Sequence, residues 1–100
     1  MRSFLLLFLF MSSAAFAEDA INEKELANLV HQDCGSCHGL TLKGGLGPEL
    51  RSTAISHYDV DTLSIVILDG IPGTAMPPWR PLMSEREARW IAEYLLEGPK

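Results

Sequence analysis

Cysteine is scarce in this chain, which has only two of them, Cys34 and Cys37, among 100 residues. Two thiols cannot form the several disulfides with which many small exported domains hold themselves together. They also supply only half of a four-ligand zinc site, and the remaining candidates, His31 and His57, form no second closely spaced pair. A disulfide framework and a structural zinc site are therefore both disfavoured.

Basic residues are also few. The chain has 8 Lys and Arg residues against 13 Asp and Glu residues, which gives a formal net charge of −5. An acidic chain is repelled by the phosphates of nucleic acids and by anionic membrane surfaces, so neither is expected as a partner. The acidity instead supports solubility and electrostatic steering. Removal of residues 1–17 would take Arg2 away and leave seven basic and thirteen acidic residues, a net charge of −6.

Apolar residues form one long run, at residues 4–11, and no second run of this kind follows. The run lies between the basic Arg2 and an Ala-Phe-Ala cleavage pattern at residues 15–17, which predicts a signal peptide over residues 1–17, cut before Glu18. A retained anchor is the alternative, but the run is shorter than the roughly 20 residues that span a bilayer. With no cysteine near the cut to accept a lipid, the mature chain is expected in the periplasm, without a membrane anchor.

Internal repeats, low-complexity tracts and strong strand patterns are all lacking, and helices are predicted instead. Asn22 and Glu25 predict a capping box at the start of a first helix. Residues 60–68 are rich in β-branched side chains, so a strand is a competing prediction there. A helix is favoured because Asp61 can cap it and Gly70 can end it.

A last helix is predicted after Ser84, with Glu87 completing a capping box and a Gly-Pro pair at residues 98–99 ending it. Its apolar side chains recur on one face that is expected to be buried: Trp90, Ile91, Tyr94 and Leu95. The 83 residues beyond a signal peptide at residues 1–17 suffice for one domain. The expected architecture is a single all-α domain over residues 18–100.

The most informative segment that is present is Cys-Gly-Ser-Cys-His at residues 34–38. Two cysteines one helical turn apart can each form a thioether to a haem vinyl group, and the adjacent histidine can then ligate the iron. A plain dithiol or disulfide is the alternative, but a thioredoxin-like centre would need a βαβ pattern that the chain lacks. The motif predicts one covalent haem c on Cys34 and Cys37, with His38 as proximal ligand. The buried macrocycle would replace the missing disulfides, so the haem-free chain is expected to be poorly ordered.

The sixth ligand of the iron decides between electron transfer and binding or catalysis at an open site. Met76 is the favoured candidate because the prolines of its segment, residues 73–79, limit the disorder of the loop that carries it. Met83 precedes a helix cap and is interpreted as structural, and His31 as a surface or haem-edge residue. His57 remains an alternative ligand, and whether it can replace Met76 is left open.

A glycine-rich segment at residues 40–50 completes the candidate site. A phosphate-binding loop would need a preceding strand, so a loop passing close to the haem is the better interpretation. In this loop Leu46 and Leu50 are expected to cover the ring, and Trp79 is expected to pack beside the Met76 loop. The Gly-Pro pair at residues 47–48 directs a stiff carbonyl towards His38.

This order of motifs resembles the class I c-type cytochromes over residues 22–96. The resemblance implies that Cys34 and Cys37 hold the haem, that His38 and Met76 ligate the iron, and that the Pro48 carbonyl accepts a hydrogen bond from His38 Nδ1. One departure concerns the position four residues before the first cysteine, where many members of the family have an aromatic residue. Here it is Val30, so the contact with the aromatic last helix is expected to differ.

Three segments, at residues 32–40, 44–48 and 76–79, resemble more closely the cytochrome c55X family, small periplasmic monohaem cytochromes associated with cytochrome cd1 nitrite reductase in denitrifying bacteria. The resemblance implies a monomeric electron carrier, not an enzyme, that delivers electrons to that reductase. A redox or accessory role in maturing its haem d1 cofactor is the alternative. A haem enzyme or gas-binding protein with a displaceable sixth ligand is a third possibility.

Overall fold

All regular structure in the part of the chain that the computed structural model describes, residues 20–99, is helical. The elements are α1 (Glu23–Leu29), a π-helical turn (Val30–Cys34), α2 (Gly35–His38), α3 (Ser52–Ile55), α4 (Val60–Asp69) and α5 (Glu85–Glu97). The all-α prediction is confirmed. The signal peptide predicted for residues 1–17 lies outside the described residues.

The first three elements follow one another without a break and carry the chain into the Cys-Gly-Ser-Cys-His segment. Asn22 caps α1, as predicted, because its side chain accepts a hydrogen bond from the Glu25 amide at 3.1 Å. In the π-helical turn the amide of Gly35 donates to the carbonyl of Val30, five residues back, which widens the helix. Gly39, at φ 90°, then ends α2 and turns the chain away.

The helical alternative for residues 60–68 is correct, but its predicted cap is wrong. Asp59, not Asp61, is the N-cap of α4, since its backbone is extended and its carboxylate accepts the Thr62 amide at 2.6 Å. This hydrogen bond also holds the pKa of Asp59 below its usual range. Asp61 lies within the first turn, where its carboxylate instead pairs with Arg89 at 2.5 Å. Gly70, at φ 66°, ends the helix as expected.

Helix α5 begins as predicted. The Ser84 side chain accepts the Glu87 amide at 3.1 Å, and the Glu87 carboxylate accepts the Ser84 amide at 2.9 Å, so both halves of the capping box are present. Gly98 ends the helix. Its length and its central place, in contact with α1, α3 and α4, make α5 the element around which the described chain is assembled.

The core lies where these helices meet α5. On α5, Ile91 and Leu95 are buried as predicted, while Trp90 and Tyr94 are only half-buried. No helix within residues 20–99 has both the length and the hydropathy needed to cross a bilayer. Twelve side chains form the core: Leu26, Val30, Leu42, Ile55, Leu63, Ile67, Leu68, Met83, Ala88, Ile91, Ala92 and Leu95.

Candidate haem-binding site

The two cysteines of the candidate site lie at the junction of the π-helical turn and α2. Cys34 is the last residue of the turn and Cys37 lies within α2; both thiols are free and partly exposed. Burial, reinforced by the charge of Asp33, raises the pKa of the Cys34 thiol to about 11. Redox-active dithiols rely on a lowered pKa, so this environment argues against the dithiol alternative.

His38, the last residue of α2, has its imidazole fixed by one hydrogen bond. The distance between His38 Nδ1 and the Pro48 carbonyl oxygen is 2.7 Å. A carbonyl only accepts, so Nδ1 carries the proton and donates it. In the neutral ring this leaves Nε2 with a free lone pair, which is the form of histidine that binds a metal.

The loop after α2 folds back onto that helix. The amide of Gly44 donates to the His38 carbonyl at 2.8 Å, and the amide of Gly47 donates to the Cys37 carbonyl at 2.8 Å. A further bond, from the Leu50 amide to the Leu42 carbonyl at 2.9 Å, closes the loop. These bonds satisfy the free carbonyls at the end of the helix and hold the Pro48 carbonyl beside His38.

Glycine is required at position 47 because the backbone passes directly against the imidazole. A Cβ atom there would lie 2.7 Å from Nδ1 and Cε1 of His38. A Cβ at Gly45 would likewise lie 2.7 Å from the Cys37 carbonyl oxygen. Gly45 and Gly47 therefore allow close approach to the histidine and its helix, whereas the approach of this loop to the haem stays a prediction.

The apolar residues predicted to cover the haem or to pack beside the Met76 loop differ in their surroundings. Leu50 and Trp79 are half-buried and pack against the core. Leu46 is 95% exposed, and Leu40, at the other end of the loop, is 74% exposed. Contact of Leu46, Leu50 and Trp79 with the haem stays a prediction.

Met76 lies half-buried in a loop between α4 and α5 that has its own hydrogen bonds. Thr74 stiffens it, since its amide and its hydroxyl both donate to the Ile71 carbonyl, at 3.1 and 2.7 Å. The Thr74 hydroxyl oxygen also accepts the Met76 amide at 3.3 Å. Met76 is thus presented by a folded loop, which is what a weak thioether ligand needs.

The other candidate ligands have different surroundings, and His57 stays an open alternative to Met76. Met83 is buried in the core, in agreement with its structural interpretation. His57 is exposed, with its ring 4.1 Å from that of Tyr58. Across residues 20–99, no three His, Cys, Asp or Glu side chains converge to hold a metal ion directly.

His31 has a role that the sequence did not indicate. Its Nε2 lies 3.0 Å from the Tyr94 hydroxyl, which joins the π-helical turn to α5. Tyr94 in turn stacks on Trp90, with ring centroids 4.9 Å apart and planes inclined by 15°. Val30 is completely buried beside this contact region. The pairing depends on which helix faces meet, so no local pattern could have revealed it.

Known proteins are similar to this chain in sequence and in fold. The family described as Cytochrome C oxidase, cbb3-type, subunit III matches residues 18–95. Cytochrome c55X of Paracoccus denitrificans is 56% identical over 93 residues, which cover 93% of this chain and 90% of that protein. This chain belongs to the cytochrome c55X family. The solved structure of the c-type cytochrome NirC superposes with a TM-score of 0.76 at 46% identity, covering 81% of this cytochrome and 95% of NirC.

A third relative of this c55X cytochrome is a much longer protein. Dihydro-heme d1 dehydrogenase of Pseudomonas aeruginosa is 32% identical over 71% of this chain, but the match covers only 14% of that enzyme. The similarity is therefore to one part of the enzyme.

The cofactor of this c55X cytochrome is one covalently attached haem c. The residues present fit it. Two free, partly exposed thiols lie one helical turn apart, and an adjacent imidazole has Nε2 available. The backbone at Gly47 leaves no room for another residue beside that imidazole. The fold is the class I cytochrome c fold.

Proposed function

We propose that this c55X cytochrome is a periplasmic one-electron carrier without enzymatic activity, exported by a signal peptide at residues 1–17. Cys34 and Cys37 would attach the haem, with His38 and Met76 as axial ligands. The observation that carries the proposal is the hydrogen-bonded loop presenting Met76, because a second protein ligand closes the iron to substrates.

The chain's contribution to electron transfer is to hold both ligands still. Haem c, when bound, supplies an iron centre that accepts and releases one electron. The Pro48 carbonyl holds the His38 ring in one orientation, so little rearrangement accompanies transfer. A thioether ligand from Met76 would disfavour the extra positive charge of the ferric state and so would raise the reduction potential.

Docking would be brief and would use the surface beside α2. Leu46 and Leu40 expose apolar side chains there, on the loop that folds back onto the helix. Small, weakly held interfaces are typical of redox partners that must separate quickly. Lys43 lies on the same loop, and Arg51 after it pairs with Glu49. If these charges guide docking, the transfer rate falls as salt is raised; a rate independent of salt contradicts that guidance.

The proposed electron acceptor is cytochrome cd1 nitrite reductase. The resemblance of residues 32–40, 44–48 and 76–79 to cytochrome c55X supports it. Stopped-flow mixing of the reduced cytochrome with a purified oxidised nitrite reductase tests it directly. Rapid oxidation of the cytochrome is expected; transfer no faster than to an unrelated acceptor of similar potential contradicts it.

A second candidate function is a redox or accessory role in haem d1 maturation. The observation that favours it is the 32% identity to one part of dihydro-heme d1 dehydrogenase. A deletion strain separates the two functions. Loss of haem d1 insertion with intact electron supply supports maturation, whereas loss of electron supply to a fully loaded reductase supports the carrier.

The axial ligand is tested by the spectrum of the oxidised protein. Methionine ligation gives a weak near-infrared sulfur-to-iron band that open and bis-histidine sites lack. The band is expected in the natural protein and should vanish in Met76→Ala. Met83→Leu, a volume-conserving change in the core, is the matched control and should keep the band. Retention of the band in Met76→Ala would overturn the assignment.

A further inference from the structure

One ion pair joins the two ends of the loop that carries Met76. Asp69 is the last residue of α4, and Arg80 follows the loop. The Arg80 guanidinium donates two parallel hydrogen bonds to the Asp69 carboxylate, Nε to Oδ1 at 2.8 Å and Nη2 to Oδ2 at 3.0 Å. This fork geometry is the strongest arrangement available to an arginine and a carboxylate.

Backbone hydrogen bonds run beside the ion pair. The amide of Trp79 donates to the Ile67 carbonyl at 3.1 Å, and the amide of Arg80 donates to the Leu68 carbonyl at 2.9 Å. The returning chain thereby satisfies carbonyls in the last turn of α4 that have no partner within the helix. The loop is therefore closed at its base by main-chain and side-chain contacts together.

The start of the loop is equally tight. Gly70 has φ 66°, a conformation that favours glycine, and a Cβ atom there would lie 2.5 Å from the Met76 carbonyl oxygen. The backbone of Met76 thus rests against the end of α4. A movement of the backbone at the base of the loop would therefore also move Met76, whose side chain carries the thioether.

We propose that Asp69 and Arg80 are positioning residues for the axial ligand, forming a clamp that keeps the Met76 loop closed. This inference rests on the proposed ligation by Met76. Loss of the clamp leaves the fold intact and lets the loop open more often, so that other ligands reach the iron.

Exposed ion pairs commonly contribute little, and about half of each side chain in this pair is accessible: 48% for Arg80 and 51% for Asp69. Two features distinguish the Asp69–Arg80 pair from an ordinary exposed ion pair. Its geometry is bidentate, and Arg80 also contacts Glu85 at 3.4 Å, which links the clamp to α5. The hydrogen bond from Arg80 also holds the pKa of Asp69 below its usual range.

Loss of the clamp is expected to change how often the Met76 loop opens rather than the free energy of global unfolding. Loops open with free energies far below that of global unfolding, so a weak contact at the base can shift their open population measurably. An exposed pair of this kind corresponds to about a two- to fivefold change in that population.

The chain provides a matched control. Arg89 pairs with Asp61 at 2.5 Å, and these side chains are also exposed, 55% for Arg89 and 76% for Asp61. This second pair joins α5 to the first turn of α4 and has no part in closing the Met76 loop. Neutralising it changes surface charge in the same way without touching the clamp.

The test is the rate at which imidazole binds to the oxidised holoprotein, since imidazole must displace Met76. Asp69→Asn and Arg80→Gln are each expected to raise the rate about two- to fivefold, and the double variant no further. Arg80→Lys, which keeps the charge but not the fork, should give an intermediate rate. Asp61→Asn and Arg89→Gln should leave the rate unchanged. Clamp variants that match these controls would overturn the proposal.

Failure of Met76 ligation itself is recognised separately. In that case the natural protein lacks the near-infrared band, and imidazole rates no longer report on the loop. Hydrogen exchange of the Thr74 and Trp79 amides in the holoprotein then tests the clamp. The Thr74 amide donates to the Ile71 carbonyl within the loop, and the Trp79 amide donates to the Ile67 carbonyl at its base. Faster exchange in Asp69→Asn than in Asp61→Asn supports the clamp, and equal exchange refutes it.

Discussion

Single glycines determine how closely the backbone approaches the two candidate ligands. At Gly47 the chain passes against the His38 ring, where a Cβ atom would lie 2.7 Å from Nδ1. At Gly70 the constraint is double, because the residue has a positive φ and also faces the Met76 carbonyl. The abundance of glycine near the motif predicted close approach, but only the structure shows which glycine meets which ligand.

Gly70→Ala is expected to destabilise the holoprotein and to weaken the near-infrared band, because the new methyl group would push against the Met76 backbone. Gly73→Ala is the control, since Gly73 also has a positive φ, 79°, but nothing lies within 4 Å of its Cβ position. A positive φ strains any side chain, and Gly70, whose ψ is −169°, lies in a region of backbone conformation that is nearly restricted to glycine, so its alanine variant also loses stability for backbone reasons. Thermal unfolding and the oxidised spectrum of both variants give the comparison. Equal losses in the two would show that the steric contact at Gly70 is unimportant.

At the scale of elements, helix ends were more predictable than helix contacts. Asn22 and Ser84 cap their helices as predicted, because a cap depends on a few neighbouring residues. The cap of α4 was placed at Asp61 instead of Asp59, since both are aspartates and only the extended backbone at Asp59 distinguishes them. The four-residue α3 was missed because it is too short to show a period.

The contact between the π-helical turn and α5 replaces the aromatic residue that many class I cytochromes have at the position of Val30. Val30 fills the buried space, while His31 reaches the Tyr94 hydroxyl and the Trp90 indole N–H reaches Glu23 at 3.4 Å. The valine at this position predicts a contact that differs from the aromatic one. The hydrogen bonds of His31 and Trp90 in this contact are shown only by the structure.

Tyr94→Phe is expected to lower the free energy of unfolding by about 0.5–1.5 kcal/mol, because the hydrogen bond to the partly buried His31 is lost. For a domain of this size that corresponds to several degrees in the midpoint of thermal unfolding. Tyr58→Phe is the matched control, since Tyr58 is 43% exposed and its ring lies beside the exposed His57. A midpoint for Tyr94→Phe no lower than that of the control would contradict a stabilising role.

At the scale of the whole molecule, the core is small for the number of residues it must order. Twelve buried apolar side chains form it, and two of them are alanines. Both cysteines are free and on the haem-attachment segment, so no disulfide supplements this core. The covalent haem is therefore expected to contribute a large share of the stability.

Haem-free protein, produced without the attachment machinery, is expected to lack a cooperative thermal transition. The physical reason is that the entropy of ordering the chain is not offset by so small a core. Circular dichroism during heating measures the thermal transition of the haem-free protein, with the holoprotein as control. A sharp transition in the haem-free sample would show that the helices described above assemble without the cofactor.

The sequence by itself determined the haem-attachment motif and much of the local structure. The Cys-Gly-Ser-Cys-His segment, the helix caps at Asn22 and Ser84, and the glycine-rich and proline-rich loops are all readable over a few residues, because spacing and side-chain type alone specify them. Only the tertiary structure decided the contacts between distant residues. The bond between His31 and Tyr94 and the fork between Arg80 and Asp69 depend on how helices turn and where the chain returns. Those relations follow from how the helices and the returning loop pack together, which no local pattern encodes.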